Sequence, residues 1–216
     1  MSKKLIVVVG AGPGIGNHVA KKFGENNFRV VLISRNQEAL TQYVVELKSQ
    51  GIEAYSVVAD AASTESVNTA FEQIKKEYGP VDVLVYNAAI VEGGRPTSLT
   101  PESLLTHYQV DVVGALQSAL QVIPDQVANQ SGTILFTGGG LALHPAADYA
   151  ALSLGKAGIR SLALTLAEEL KPQGIFVGTV TVAGGVKPGT HFDPELIAEK
   201  YWDLYQKREE HEIVYS

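Results

Sequence analysis

Five apolar residues, Leu5-Ile6-Val7-Val8-Val9, run straight into Gly10-Ala11-Gly12-Pro13-Gly14-Ile15-Gly16, and Asn17-His18-Val19-Ala20-Lys21-Lys22-Phe23 continues with helical spacing. A Val/Ile run without alternation has no solvent face. The strand it forms is covered on both sides, as in a parallel sheet. The glycine turn leaves backbone N–H groups free, and the helix behind it adds the positive end of its dipole. This combination is an anion site, because missing Cβ atoms let a phosphate approach the backbone. The spacing is Gly10-x-x-x-Gly14-x-Gly16. The commoner G-x-G-x-x-G pattern fails, since its third glycine falls on Ile15.

The same alternation of apolar run and amphipathic stretch recurs along the chain. Strands are expected at 5–9, 29–33, 53–58, 81–86, 133–137 and 175–182, and helices at 14–26, 37–50, 64–78, 106–129, 150–171 and 194–208. Strands alternating with helices imply an α/β fold of the Rossmann type: a doubly wound parallel sheet flanked by helices, in one domain spanning 1–216. The Gly/Pro-rich stretches 91–101 and 184–194 read as loops at the mouth of the site.

Composition narrows the function. The net charge of -6 and pI near 5.4 argue against a nucleic-acid partner or an anionic membrane surface. The absence of cysteine rules out thiolate catalysis and cysteine metal sites, and no metal is expected. Met1-Ser2-Lys3-Lys4 leads into an apolar run too short for a signal peptide or membrane span, so a cytoplasmic protein is expected.

Taken in order, these segments resemble the short-chain dehydrogenase/reductase family over nearly the whole chain. The stretch Gly10 to Gly16 matches that family's cofactor turn. Asp60, followed by Ala61 after the third strand, matches its aspartate beside the adenine. Tyr86-Asn87-Ala88-Ala89 is similar to its Asn-Asn-Ala-Gly element, with Ala89 replacing the last glycine. Lys156-Ala157-Gly158-Ile159 through Leu166-Ala167-Glu168-Glu169-Leu170 is similar to its long interface helix. The resemblance implies a dinucleotide held by Gly10, Gly12, Pro13, Gly14, Ile15, Gly16, Ser34, Arg35, Asp60, Ala61, Asn87, Ala88 and Lys156. At the end of the second strand an acidic residue suits the ribose 2′-hydroxyl of NAD, and an arginine suits the 2′-phosphate of NADP. Ser34-Arg35 therefore favours NADP(H). NAD stays open, because the family's other frequent basic position is Pro13.

The catalytic positions depart from the family. Its tyrosine lies four residues before the lysine and exchanges a proton with substrate; the lysine holds the nicotinamide ribose and lowers the tyrosine's pKa. Lys156 is present, but four residues earlier stands Leu152. The family serine falls on Gly139 and the family asparagine on Asp111. Tyr149, three residues before Leu152, would share the helix face or lie at the helix entrance, and is the candidate substitute proton donor beside an ordered water or the substrate itself. His144 could also face the cleft, and Asp111 would either ion-pair with Lys156 or be a buried acid paired for structural reasons.

The amphipathic helix 194–208 would either cover the cleft or simply pack on the core, and only 211–215 remains for a last strand. A homodimer through the helices 106–129 and 150–171 is expected, a homotetramer being the alternative. Two functions fit these residues. One is an oxidoreductase moving hydride between NADP(H) and the carbonyl or alcohol of a small-molecule substrate, with a non-standard proton donor. The other is a catalytically inactive NADP(H)-binding sensor or partner subunit.

Overall fold

The computed structural model describes residues 3–216; Met1 and Ser2 lie outside the described residues. Seven strands form one sheet: β1 (Leu5–Val9), β2 (Arg29–Ser34), β3 (Ala54–Val58), β4 (Val83–Tyr86), β5 (Gly132–Gly139), β6 (Ile175–Val182) and β7 (Glu212–Tyr215). Their order is β3-β2-β1-β4-β5-β6-β7, and every pair is parallel. The connections are α1 (Ile15–Glu25), α2 (Gln37–Ser49), α3 (Thr64–Tyr78), α4 (Pro101–Tyr108), α5 (Gly114–Ala128), α6 (Ala150–Leu170) and α7 (Pro194–Lys207). The expected doubly wound α/β architecture is what forms. The order reverses between β1 and β4, so the crevice at the C-terminal ends of these strands is where such a sheet takes ligands.

The strand period of two divides β1 between two cores. Leu5, Val7 and Val9 pack with residues of α3, α5 and α6, while Ile6 and Val8 pack with residues of α1, α2 and α7. All five are buried, so each removes its side chain from water on one face or the other at ~1.5–3 kcal/mol apiece. Helix starts follow their caps. Asn36 accepts from Ala39 N, Ser63 from Ser66 N, and Thr100 and Ser103 form a reciprocal box at the start of α4.

Two expected elements differ. The helix expected over 106–129 begins at Pro101, behind the Thr100 cap, and a wider π-type turn over Gln109–Val113 divides it into α4 and α5. Tyr86, buried on β4, donates its hydroxyl to Val110 O in that turn. β5 runs past the expected 137 to Gly139, because Gly138 and Gly139 pair with Thr181 and Val182 of β6. A Cβ on Gly138 would sit 2.7 and 2.8 Å from the Thr181 and Thr179 hydroxyls, so the glycine is what lets the strands meet there. No helix among the described residues is long and apolar enough to cross a membrane.

Arg160 of α6 donates from Nε and Nη2 to Glu212 at 2.8 and 2.6 Å, and Thr181 donates to the same carboxylate at 2.6 Å. These bonds hold the edge strand β7 to α6 and β6. The Arg160 hydrogen bond first, and then that of Thr181, keeps the Glu212 carboxyl below its ordinary pKa against the opposing effect of burial. A depressed carboxylate contributes stability that is present above its unfolded pKa and is lost as pH falls through the folded one. Glu212→Gln is therefore expected to lower stability at pH 7 by about 1 kcal/mol, discounted for the partly exposed arginine. That deficit should shrink below roughly pH 4. Melting temperatures of both proteins between pH 3 and 8 check this; a deficit that does not vary with pH would contradict it.

Candidate functional site

The cleft at the β1/β4 crossover has a volume of about 1110 Å³. It is lined by Gly10 to Ile15, Ser34, Arg35, Asp60, Ala61, Asn87, Ala88, Tyr149, Leu152 and Lys156. Of the residues expected at the site, Gly16 and Asp111 are not on its wall.

The glycines of the turn divide into two pairs. Gly10 has φ +89°, in the left-handed region, and a Cβ there would lie 2.4 Å from Ala88 N. A Cβ on Gly16 would lie 2.7 Å from Gly10 O. Both positions need glycine for the fold. Gly12 and Gly14 have nothing within 4 Å of a Cβ, so they need glycine only if something occupies the cleft. The turn is held by Gly10 N and Ala11 N on Ile33 O (2.9 and 3.0 Å) and by Asn87 Nδ2 on Gly10 O (2.9 Å). Gly14 caps α1 without a side chain, so the first-turn N–H groups of α1 have no side-chain acceptor. That is the donor set a phosphate needs.

At the other end of the turn, Arg35 is exposed and has no ion-pair partner among the described residues. Asp60 is fixed by its own loop: Oδ1 accepts from Ala62 N at 2.9 Å, and its backbone N–H donates to Ser66 Oγ at 3.0 Å.

The lysine wall is built from both sides of the sheet. Lys156 Nζ donates to Thr137 O at 2.9 Å. The Thr137 hydroxyl donates to Asn87 Oδ1 at 2.9 Å and is bonded to the hydroxyl of Tyr201, a fully buried residue of α7. A run of hydrogen bonds thus passes from α7 through Thr137 and Asn87 to Gly10. Sequence reasoning missed Thr137 and read Tyr201 only as an apolar residue of its helix. Their one signal was a buried hydroxyl at a strand end and another on an apolar stripe, since a buried hydroxyl must find a partner.

Loss of hydration pushes the Lys156 amine down to about 8, with partial opposition from the Asp111 charge. The expected Lys156–Asp111 ion pair does not form. Asp111 Oδ1 accepts from Ile90 N at 2.8 Å, while Oδ2 is buried without a partner and faces Gly155. The π-type turn points the carboxyl at the α6 backbone instead of the amine. Burial raises the Asp111 pKa; the Ile90 hydrogen bond and the charges of Lys156 and His107 work against that rise.

Tyr149 precedes α6 rather than sharing its face, with φ −134° and ψ 46°. Its backbone is pinned because Gly94 N donates to Asp148 O (2.7 Å) and Ala150 N to Gly94 O (3.0 Å). The ring is 43% exposed and lines the cleft. His144 is exposed and also lines the cleft. Leu152 is buried on the same wall, and a Cβ on Gly139 would lie 3.2 Å from the Cγ and Cδ of Lys156. The lysine stem thus lies over the glycine where the resemblance put a serine.

This fold, with a glycine turn at the strand-order reversal, defines the doubly wound α/β class. A family model described as short chain dehydrogenase matches residues 4–196, and the chain belongs to that family. It is 31% identical over 210 residues to the "Putative ketoacyl reductase" of Streptomyces coelicolor, covering 94% of this chain and 77% of the relative. It is 28% identical, with a TM-score of 0.88, to a metagenomic short-chain oxidoreductase in complex with NADP, covering 98% of this chain and 95% of the other. It is 27% identical, with a TM-score of 0.82, to a single-substitution variant of actinorhodin polyketide ketoreductase with NADPH, covering 94% of this chain and 77% of the other.

The two glycine pairs should separate on mutation. Gly10→Ala is expected to cost ~2 kcal/mol or more, from left-handed strain and collision with the Ala88 backbone. Gly14→Val should leave the urea midpoint nearly unchanged. Equal losses in both variants would show that the division is wrong.

Proposed function

We propose that the protein binds NADP(H) in this cleft and works as an oxidoreductase on a carbonyl or alcohol. The observation that carries the reading is the coincidence in one cleft of the open Gly12–Gly14 backbone, the uncapped α1 terminus, Arg35 and Lys156. Gly12, Pro13, Gly14 and Ile15 would hold the pyrophosphate, Ser34 and Arg35 the 2′-phosphate, and Asp60 and Ala61 the adenine side. Asn87, Ala88 and Lys156 would hold the nicotinamide side. The ligands of two solved relatives, NADP and NADPH, support the choice of cofactor. Bound NADP(H) supplies a hydride donor or acceptor.

The chain's own work is then orientation and proton supply. Leu152 has no proton to give. Tyr149 lines the cleft and is 43% exposed, and we assign its phenol, or a water it orders, as the donor. The ketoacyl reductase names among the relatives support a carbonyl substrate. The second reading, a catalytically inactive NADP(H)-binding sensor or partner subunit, is favoured by Leu152 and Gly139. The acidic, cysteine-free composition supports a cytoplasmic protein.

Calorimetric titration is expected to show tighter binding of NADP+ than NAD+, and Arg35→Ala should remove ~1.5–3 kcal/mol of that preference. Equal affinities in the unmodified protein would defeat it. NADPH-dependent reduction across a carbonyl panel should be slow, since a positioned general acid contributes ~10²–10⁴-fold. Tyr149→Phe should lower the residual rate further; normal NADPH binding without turnover would favour the second reading.

The same helices support a homodimer. Leu105 and Tyr108 of α4, Leu116 and Leu120 of α5 and Leu154 of α6 are large apolar residues left exposed, an arrangement a second copy would cover. Light scattering on the purified protein checks this, and a single species at the chain mass of 23.0 kDa would count against it.

A further inference from the structure

We infer that Lys156 is a covalent attachment site for aldehydes, its amine condensing with a carbonyl carbon in the cleft to form an imine. This goes beyond cofactor binding and does not need a hydride step.

Lys156 Nζ lines the cleft and has one partner, the carbonyl of Thr137. No carboxylate pairs with it, because Asp111 is turned to Ile90 N and Gly155. Lys76 and Lys171 also have no carboxylate within ion-pair distance among the described residues, but they stand exposed. Lys3, Lys21, Lys22, Lys75 and Lys207 each lie within ion-pair distance of a carboxylate. Leu152, Gly138, Gly139, Val182 and Ala183 line the same cleft, so much of the wall it shares is apolar. Gly139 also fixes the stem, whose Cγ, Cδ and Cε lie 3.2–3.3 Å from the place a Cβ would take. The amine is therefore held at the cleft wall rather than swinging in solvent.

A desolvated amine without a counter-ion is the condition under which lysine acts as a nucleophile. The same burial holds its pKa near 8, so more of it is neutral at pH 7.5 than of an exposed lysine. The replacements at 139 and 152 thus have a positive consequence. They leave no hydroxyl at these positions to hydrogen-bond the amine.

The chemistry balances without a redox partner. The lysine nitrogen attacks the carbonyl carbon, a C–N bond forms, and the carbonyl π pair moves to oxygen. The amine's protons pass through water to that oxygen. The C–O bond then breaks, water leaves, and the nitrogen lone pair completes the C=N bond.

The test is reductive trapping of the unliganded protein with acetaldehyde and sodium cyanoborohydride at pH 7.5, followed by peptide mass mapping. N-ethylation at Lys156 is expected roughly 10-fold or more faster than at the exposed Lys76 and Lys171. Its rate should level off above about pH 8, while theirs continues to rise. Modification of Lys156 no faster than of Lys76 and Lys171, or a pH profile matching theirs, would overturn the proposal. NADP+ in excess separates the two readings. Fast labelling of Lys156 that NADP+ blocks supports both. Fast labelling that it does not block supports the imine and counts against the nicotinamide placement.

Discussion

The backbone at Gly10 is the constraint on which the cleft depends. Its left-handed φ turns the chain sharply out of β1, so close to β4 that a side-chain carbon would lie inside the Ala88 backbone. Its amide is held by Ile33 of β2, and its carbonyl takes the Asn87 amide from the other side. One glycine thus ties together the ends of the three strands that border the strand-order reversal. The open backbone of Gly12 and Gly14 faces the crevice because Gly10 has already made the turn. Moving that turn would misplace the α1 amides, and the phosphate cradle with them.

The second organising feature is polar and buried. Thr137 carries two separate tasks: its carbonyl takes the lysine amine, and its hydroxyl orders Asn87. Tyr201 reaches it from α7 with a hydroxyl that burial keeps protonated, its pKa pushed far above the ordinary value. Networks of this kind are stable only when every member is satisfied, since an unpaired buried hydroxyl costs about as much as a lost hydrogen bond. The helix at the far end of the chain therefore helps set the cofactor turn near its beginning.

On the lysine wall, Leu152 and Gly139 act together. Leu152 is apolar and buried, and Gly139 gives space to the lysine stem. The amine turns to a backbone carbonyl, and Asp111 turns to a backbone amide. What remains on this part of the cleft is a single desolvated amine on the Thr137 carbonyl, and the tyrosine that does line the cleft, Tyr149, is at the entrance to α6. That arrangement links the slow hydride chemistry expected here to the nucleophilic chemistry inferred for Lys156.

Apolar periodicity was enough to read the doubly wound sheet, and the ordered motifs were enough to read the family; the residues expected around the cleft came with that resemblance. These signals are local: a Val/Ile run cannot face water on either side, and a helix start needs its caps within four residues. The division of 101–128 into two helices was not legible, because a π-type turn has no compositional mark and depends on Tyr86 reaching across from β4. Nor was the direction of Asp111 legible. Residue spacing placed it near Lys156, and only the tertiary geometry decided that its oxygen meets Ile90 N instead. Tyr201 lies 64 positions from Thr137 in the chain. No periodicity links residues so far apart; the pairing exists because α7 packs across the sheet and brings one buried hydroxyl to another.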